Sequence, residues 1–176
     1  MIDPTNSGPP GNGVPDPTAI PPGSVAVSVN AQYLKDLSFE SPRAPEVFRQ
    51  AGQQAPRVQV NVDVKARTIA QDQYEVTLIL NAEAKANDAV AFVAEAEYAG
   101  LFAVQGLTQE QLGPFLLIEC PRLLFPFLRQ IIADATRNGG FPPLMIAPID
   151  FLALYRRQAR AAAEAAGTAP PSTATN

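Results

Sequence analysis

The stretch "RVQVNVDVKARTIAQDQYEVTLILNAEAKA" (Arg57–Ala86) decides the fold, because apolar and polar side chains alternate along both of its halves. In the first half, every second residue on one face is a valine: Val58, Val60, Val62 and Val64. A period of two predicts strands with one buried and one hydrated face, which is typical of an antiparallel sheet. The polar break "IAQDQ" between the halves is short, so we predict a hairpin.

The same alternation continues on both sides of this hairpin. In "SVAVSVNAQYL" (24–34), the pattern predicts a single face made of Val25, Val27, Val29, Ala31 and Tyr33. In "DAVAFVAEAEYAGLFAV" (88–104), it predicts one face with Val90, Phe92, Ala94, Ala96 and Tyr98, and an opposite face with Val93, Glu95 and Glu97. We therefore predict four strands, of which the second to the fourth form a meander.

The pattern becomes helical after these strands. Thr108 and Gln111 have the spacing of a capping box and predict a helix start. In "PRLLFPFLRQIIADATRNGG" (121–140), the predicted apolar stripe consists of Leu124, Leu128, Ile131 and Ala135. Two early prolines predict a kink, Gly139 predicts the helix end, and a last helix is predicted at 149–166. The predicted fold is α+β: a four-stranded antiparallel sheet with a long kinked helix and a C-terminal helix packed on one face.

The two ends of the chain have a different composition. Residues 1–23 are crowded with proline, glycine, asparagine and aspartate, and the tail from Gly167 has almost no large apolar side chain. Such segments bury too little apolar surface to offset the entropy cost of ordering them. We predict that both are disordered and that the folded domain spans 24–166.

Composition excludes several classes of protein. The net charge of −4 and the isoelectric point near 4.8 disfavour nucleic acid as a partner. The chain contains no histidine, which removes the commonest general base and metal ligand. It also has no nucleotide-binding glycine motif, no secretory signal and no membrane span. We predict a cytoplasmic protein with no cofactor, no metal site and no insertion into a membrane.

Two features are weak candidates for catalysis. Cys120 has no histidine to activate it, so a buried structural thiol is the favoured interpretation. Glu95 and Glu97 lie two residues apart on a predicted strand and project from the same face. A solvated polar face is more plausible there than a catalytic pair, and an acidic face can also bind a basic protein partner. We assign no catalytic residue.

Exposed apolar side chains indicate binding instead. The stretch "LKDLSFESPRAPEVF" (34–48) places Phe39 and Phe48 in a segment that its prolines predict to be an extended loop. These rings either pack beneath the domain as a satellite cluster or form the wall of an apolar groove with the last helix. Leu123 and Phe127 fall outside the helical stripe, and we favour contact with a second subunit over the filling of local gaps.

Three sequence blocks carry a family resemblance. "YLKDLSFESPRAPEVF", "AFVAEAEYAGLFAVQGL" and "ECPRLLFPFLRQIIADATRNGGFPPLMIAPIDFLALY" resemble SecB, the bacterial protein-export chaperone, over about Val29 to Arg157. The resemblance implies a homotetramer built as a dimer of dimers, with helices buried between the dimers. It further implies ATP-independent holding of unfolded preproteins and their delivery to the SecA motor.

The resemblance also implies two sets of site residues. The surface that contacts SecA would comprise Asp36, Glu40, Val93 and Glu95. The client-binding groove would comprise Phe39, Pro42, Val47, Phe48, Phe151, Leu154 and Tyr155. Two alternatives to export remain: a related chaperone dedicated to a toxin–antitoxin pair, and a thioesterase-like enzyme with Glu95 or Asp36 as its base.

Overall fold

A computed structural model describes residues 24–49, 56–86 and 88–167. The predicted disordered leader, residues 1–23, lies outside these described residues, as does the tail after Gly167. Gly167 itself, the first residue of the predicted tail, is the last residue of a helix.

The sheet is formed by four antiparallel strands in the order β1-β4-β3-β2. Their bounds are β1 Ala26–Glu40, β2 Arg57–Ala70, β3 Gln73–Ala86 and β4 Ala89–Gln105. The predicted meander of the second to fourth strands is confirmed. Asp72 and Asp88 adopt positive φ angles (55° and 60°) at the two turns, where aspartate tolerates the left-handed conformation of tight hairpins.

Strand β1 differs from its prediction in two ways. Irregularities between Val29 and Ala31 and between Leu34 and Asp36 shift its pairing with β4. Each extra residue reverses the alternation, so Ala31 does not share a face with Val29, and the predicted single face is wrong. The strand also continues to Glu40, so Phe39 lies in the strand, and Phe48 lies in a single helical turn, Glu46–Arg49. The prediction that both rings belong to an extended loop is therefore wrong.

A nearly continuous helical segment follows the sheet. It comprises α2 (Gln109–Pro114), a π-helical turn (Phe115–Glu119) and α3 (Cys120–Asn138). The chain then runs irregularly to α4 (Phe151–Gly167). A separate single turn, α1 (Glu46–Arg49), lies between β1 and β2. The predicted cap is present, because the Thr108 N–H donates to Gln111 Oε1 at 3.1 Å. None of these helices has an apolar stretch long enough to cross a bilayer.

The buried stripe of α3 differs from the prediction. Leu124 and Leu128 are buried, but Ile132 and Thr136 continue the stripe in place of Ile131 and Ala135, which are half-buried. Both spacings fit one helical face, and the stripe that is buried follows the i, i+4 series. Gly139 ends the helix as predicted.

The core lies between α3 and the face of β3 and β4 that carries the even-numbered residues. Its largest fully buried side chains include Phe102, Leu78, Leu80, Leu124 and Leu128. Along the edge strand β2, burial varies: Val64 is buried, whereas Val58, near the start of the strand, is 41% exposed. The predicted inward valines of β2 therefore leave an apolar strip only partly covered by the subunit.

Candidate functional site

An open groove of about 630 Å³ lies beside β2, where the irregular segment 144–150 and the start of α4 face the strand. Most of its lining is apolar: Val58, Val60, Val62, Leu144, Met145, Ile146, Ala147, Ile149, Ala153 and Leu154. Among the described residues that line it, the polar side chains are those of Asn61, Asp150 and Arg157. A surface with so few fixed polar groups can contact many apolar sequences and discriminates little among them.

Thr136 fixes one wall of the groove. Its buried hydroxyl accepts a hydrogen bond from the Leu144 N–H at 2.9 Å and donates towards the Ile132 carbonyl at 2.9 Å. Three residues before Leu144, the Phe141 N–H donates to the Thr136 carbonyl at 3.1 Å. The segment that supplies most of the apolar lining is therefore tied to the C-terminal end of α3.

Helix α4 forms the other wall and is held at both its start and its middle. The Ala153 N–H donates to Asp150 Oδ1 at 2.9 Å, which caps the helix. Further along, Gln158 Nε2 donates to Asp63 Oδ1 on β2 at 2.5 Å. This side-chain bond joins α4 to the strand that forms the floor of the groove.

An aromatic cluster lies next to the segment that leads into the groove. Phe141 packs against Phe92 (4.9 Å between ring centroids), Phe48 (5.1 Å) and Phe39 (6.2 Å). Gly139 lies so close to the Phe39 ring that a side chain there would overlap it. Phe39 is half-buried, whereas Phe48 is 40% exposed. The cluster therefore has a covered base and an open rim.

The predicted groove residues separate into three groups. Phe39 and Phe48 belong to the aromatic cluster, Val47 packs on the core from α1, and Pro42 is exposed. Leu154 lines the groove, and Tyr155 is half-buried beside it.

Phe151 has a different position, because it is only 1% exposed and packs on Phe125 at 6.1 Å. It supports the groove from below and does not line it. The sequence analysis missed the groove residues between Val58 and Val62 and between Leu144 and Ile149. The second set carried a signal, because it forms the apolar run "LMIAPI" between Pro143 and Asp150.

The four acidic-surface residues share one sheet face. In the register of β1 and β4, Glu40 lies opposite Val93, Ser38 opposite Glu95 and Asp36 opposite Glu97. Directly paired residues project to the same side, so the face contains all four predicted residues together with Glu97. Asp36, Glu40 and Glu95 are exposed. The carboxylates form an open, hydrated patch rather than a closed pocket.

Further along the same face, Glu75 is buried (4% exposed) and binds three side chains from other strands. Its carboxylate accepts hydrogen bonds from the Tyr33 hydroxyl and Arg67 Nε, and Lys35 Nζ lies 3.4 Å away. These hydrogen bonds, from Arg67 first and Tyr33 second, lower the pKa of Glu75 to about 2. The same contact raises the pKa of the Tyr33 phenol.

Cys120 and the α3 surface also have clear positions. Cys120 is fully buried, and burial raises the pKa of its thiol to about 12, so this thiol is not a nucleophile at neutral pH. Leu123 and Phe127 are 48% and 49% exposed, as expected for side chains outside the buried stripe. The Phe127 ring stacks on Tyr98 at 5.9 Å.

Comparison with known proteins gives a consistent result. The family model described as "Preprotein translocase subunit SecB" matches residues 22–162. The chain is 55% identical over 141 residues to the protein-export protein SecB of Maricaulis maris, covering 80% of this chain and 81% of that protein. It is 48% identical over 161 residues to the protein of the same name from Rhodopseudomonas palustris strain BisA53, covering 91% and 98%.

A solved structure shares the fold. The SecB-like chaperone Rv1957 of Mycobacterium tuberculosis, in complex with a peptide from the antitoxin HigA1, superposes with a TM-score of 0.59. The match covers 70% of this chain and 90% of that one at 19% sequence identity. At this identity the likeness concerns the arrangement of the sheet and helices.

Proposed function

This chain belongs to the SecB family of preprotein translocase subunits, and we propose that it is an ATP-independent chaperone of protein export. In this role it holds unfolded preproteins in the cytoplasm and delivers them to the SecA motor. The observation that carries the proposal is the open apolar groove beside β2, whose lining offers apolar side chains but few polar groups to a ligand. Unfolded chains are the ligand class that such a surface fits.

Client binding rests on apolar side chains that the subunit leaves uncovered. In the groove, Val58 is 41% and Met145 59% exposed, and at the aromatic cluster Phe48 is 40% exposed. Covering about 1,000 Å² of apolar client surface contributes roughly 25 kcal/mol before ordering costs. Ordering an unfolded client cancels much of this gain, which leaves an affinity from which the client can be released without ATP.

The groove is tested by following the refolding of a slowly folding preprotein in the presence of the chaperone. The variant Val58→Asn/Met145→Gln should weaken retention of the client by about tenfold, because replacing an apolar side chain that covers the client by a polar one costs roughly 1 kcal/mol or more. Ile69→Gln is the matched control, since Ile69 is 45% exposed on the same strand but does not line the groove. Equal retention by both variants would contradict the assignment of the groove.

Docking to SecA is assigned to the acidic patch of β1 and β4. Four residues that lie together on one face support this assignment, because a hydrated carboxylate cluster attracts a basic partner surface. Glu95→Lys should reduce SecA binding without changing client affinity. Glu110→Lys, an exposed charge reversal on α2, is the control and should leave both unchanged. Equal loss of SecA and client binding in Glu95→Lys would refute separate sites.

We further propose a homotetramer built as a dimer of dimers, with α3 between the dimers. Within the described part of the chain, strand β1 is an edge strand that pairs only with β4 and exposes apolar side chains, including Val29 (41%) and Leu34 (44%). Leu123 and Phe127 add an uncovered apolar strip on α3. Exposed edge strands and apolar strips of this kind are normally covered by another chain.

Export is favoured over the two alternatives. Relatives at 48–55% identity carry the name of a protein-export protein, whereas the antitoxin-bound chaperone is 19% identical and supports the fold alone. For an enzyme, Glu95 or Asp36 would have to act from an open, hydrated face, whereas small substrates are normally bound in a concave pocket that encloses most of their surface.

A further inference from the structure

We propose that arginines on α4 make the groove select client segments that carry acidic residues beside an apolar stretch. This inference rests on the proposed chaperone function and names the class of segment that binds best. It concerns Arg156, Arg157 and Arg160, which are not among the groove residues that the resemblance to SecB implies.

The three arginines extend the groove along α4. Ala153 and Arg157 line the groove and also an adjoining depression of about 470 Å³, whose other walls include Arg156, Arg160 and Glu164. Residues 153, 157, 160 and 164 recur at spacings of three and four, so they follow one face of the helix. At 1.5 Å per residue, the part of this face beyond the groove, from Arg157 to Glu164, is about 10 Å long.

The charge of this extension is unusual for the chain. The protein has a net charge of −4, yet three of its 13 basic residues fall within five consecutive positions, 156–160. All three arginines are exposed, and within the described residues none forms an ion pair. By contrast, Arg122 and Arg137 on α3 pair with carboxylates one turn away. The α4 guanidinium groups therefore remain available to carboxylates of a ligand, which they can bind in a bidentate manner.

The other end of the groove has the opposite polarity. Asp150 lies at the start of α4 and is the one carboxylate among the described residues that line the groove. An extended segment in the groove therefore meets the carboxylate of Asp150 at one end and, at the other, three positive charges beside the single carboxylate of Glu164. A client whose acidic residues lie on only one side of its apolar stretch is favoured in one direction along the groove.

The test uses three short synthetic peptides with the same apolar core, followed by acidic, amide or basic residues. Their affinities for the full-length protein are measured by fluorescence anisotropy at low and high salt. Exposed ion pairs each contribute a factor of about 1.5 to 5, so three of them should favour the acidic peptide over the amide peptide by about tenfold at low salt. High salt should reduce this preference, because the arginines are exposed.

Two variants, each lacking two positive charges, distinguish the effect of the α4 arginines from the effect of the protein's overall charge. Arg156→Gln/Arg160→Gln, which keeps the groove-lining Arg157, should lose most of the preference for the acidic peptide, while the amide peptide binds within about twofold of its original affinity. Lys65→Gln/Lys85→Gln, on the sheet face, is the control and should keep the preference.

The possible results discriminate clearly. Equal binding of the acidic and amide peptides by the unmodified protein overturns the arginine inference but leaves the chaperone proposal intact. Preference retained in the arginine variant, or lost equally in the lysine control, also overturns it. Absence of binding by all three peptides overturns both the inference and the proposed groove.

Discussion

Replacing Thr136 by valine should loosen one wall of the groove without removing any residue that contacts a client. Thr136 is fully buried, and its hydroxyl accepts the Leu144 N–H at 2.9 Å. Valine has nearly the same shape as threonine, so the substitution removes the hydroxyl, which accepts from Leu144 and donates towards the Ile132 carbonyl, and leaves the side-chain volume almost unchanged. Any effect on client binding must then arise through the position of the segment 144–150.

The magnitude follows from this one hydrogen bond. A buried N–H left without an acceptor costs about 1–3 kcal/mol, and burial of the new methyl group returns about 0.8 kcal/mol. The free energy of unfolding should therefore fall by about 1 kcal/mol, within a range of roughly 0.2 to 2 kcal/mol. If the loss is concentrated in the segment that begins at Leu144, client affinity falls by up to about tenfold.

Thr136→Ser provides the matched control. It keeps the hydroxyl and removes a buried methyl group, which costs about 1 kcal/mol. The two variants should have similar urea midpoints, yet only the valine variant should bind an apolar peptide more weakly in fluorescence titrations. Equal affinities in the two variants, or a valine variant as stable as the unmodified protein, would refute the role given to this hydrogen bond.

Three further predictions concern stability, pH and assembly. Gly139→Ala should lower the urea midpoint by the equivalent of about 1–3 kcal/mol, because the new methyl group overlaps a ring of the aromatic cluster; Gly113→Ala, in a helix with open space around it, should leave the midpoint unchanged or raise it. The pKa of Glu75 is lowered from 4.5 to about 2, so its stabilising effect is complete above pH 5 and is lost as the pH falls towards 2. Glu75→Gln should flatten the stability profile in that window and lower stability at neutral pH by on the order of 2 kcal/mol, as measured by thermal melts across pH. Leu123→Ser/Phe127→Ser should convert the proposed tetramer to smaller species in light scattering, and an unchanged mass would exclude α3 from the proposed interface between dimers.

The regular part of the fold was predictable because period-two alternation is a local property. The valines of β2 and the alternating run of β3 need no partner to reveal their two faces. In β1 the alternation is equally clean in sequence, but the irregularities at Asn30 and Lys35 are set by its pairing with β4. That pairing joins residues 53 to 79 positions apart, which no local pattern records.

The candidate site was predicted only in part for a related reason. The acidic patch follows from strand register, so Glu95 and Asp36 meet once β1 and β4 pair. The groove depends on how an irregular segment is held, and the residue that holds it, Thr136, looks like an ordinary helical position in sequence. Phe151 was misplaced in the opposite direction. An aromatic residue at the start of an amphipathic helix suggests a groove wall, but Phe151 lies in the core.

The strand order has a consequence for the sequence of events in export. The acidic patch lies on β1 and β4 at one side of the sheet, whereas the groove adjoins β2 at the other, with β3 between them. Adjacent strands are about 4.8 Å apart, so roughly 10 Å of sheet separates β4 from β2. A motor seated on the patch and a cargo lying in the groove would not compete for the same atoms. The two proposed sites therefore allow a ternary complex to assemble first, with the hand-over of cargo following while the chaperone is still attached.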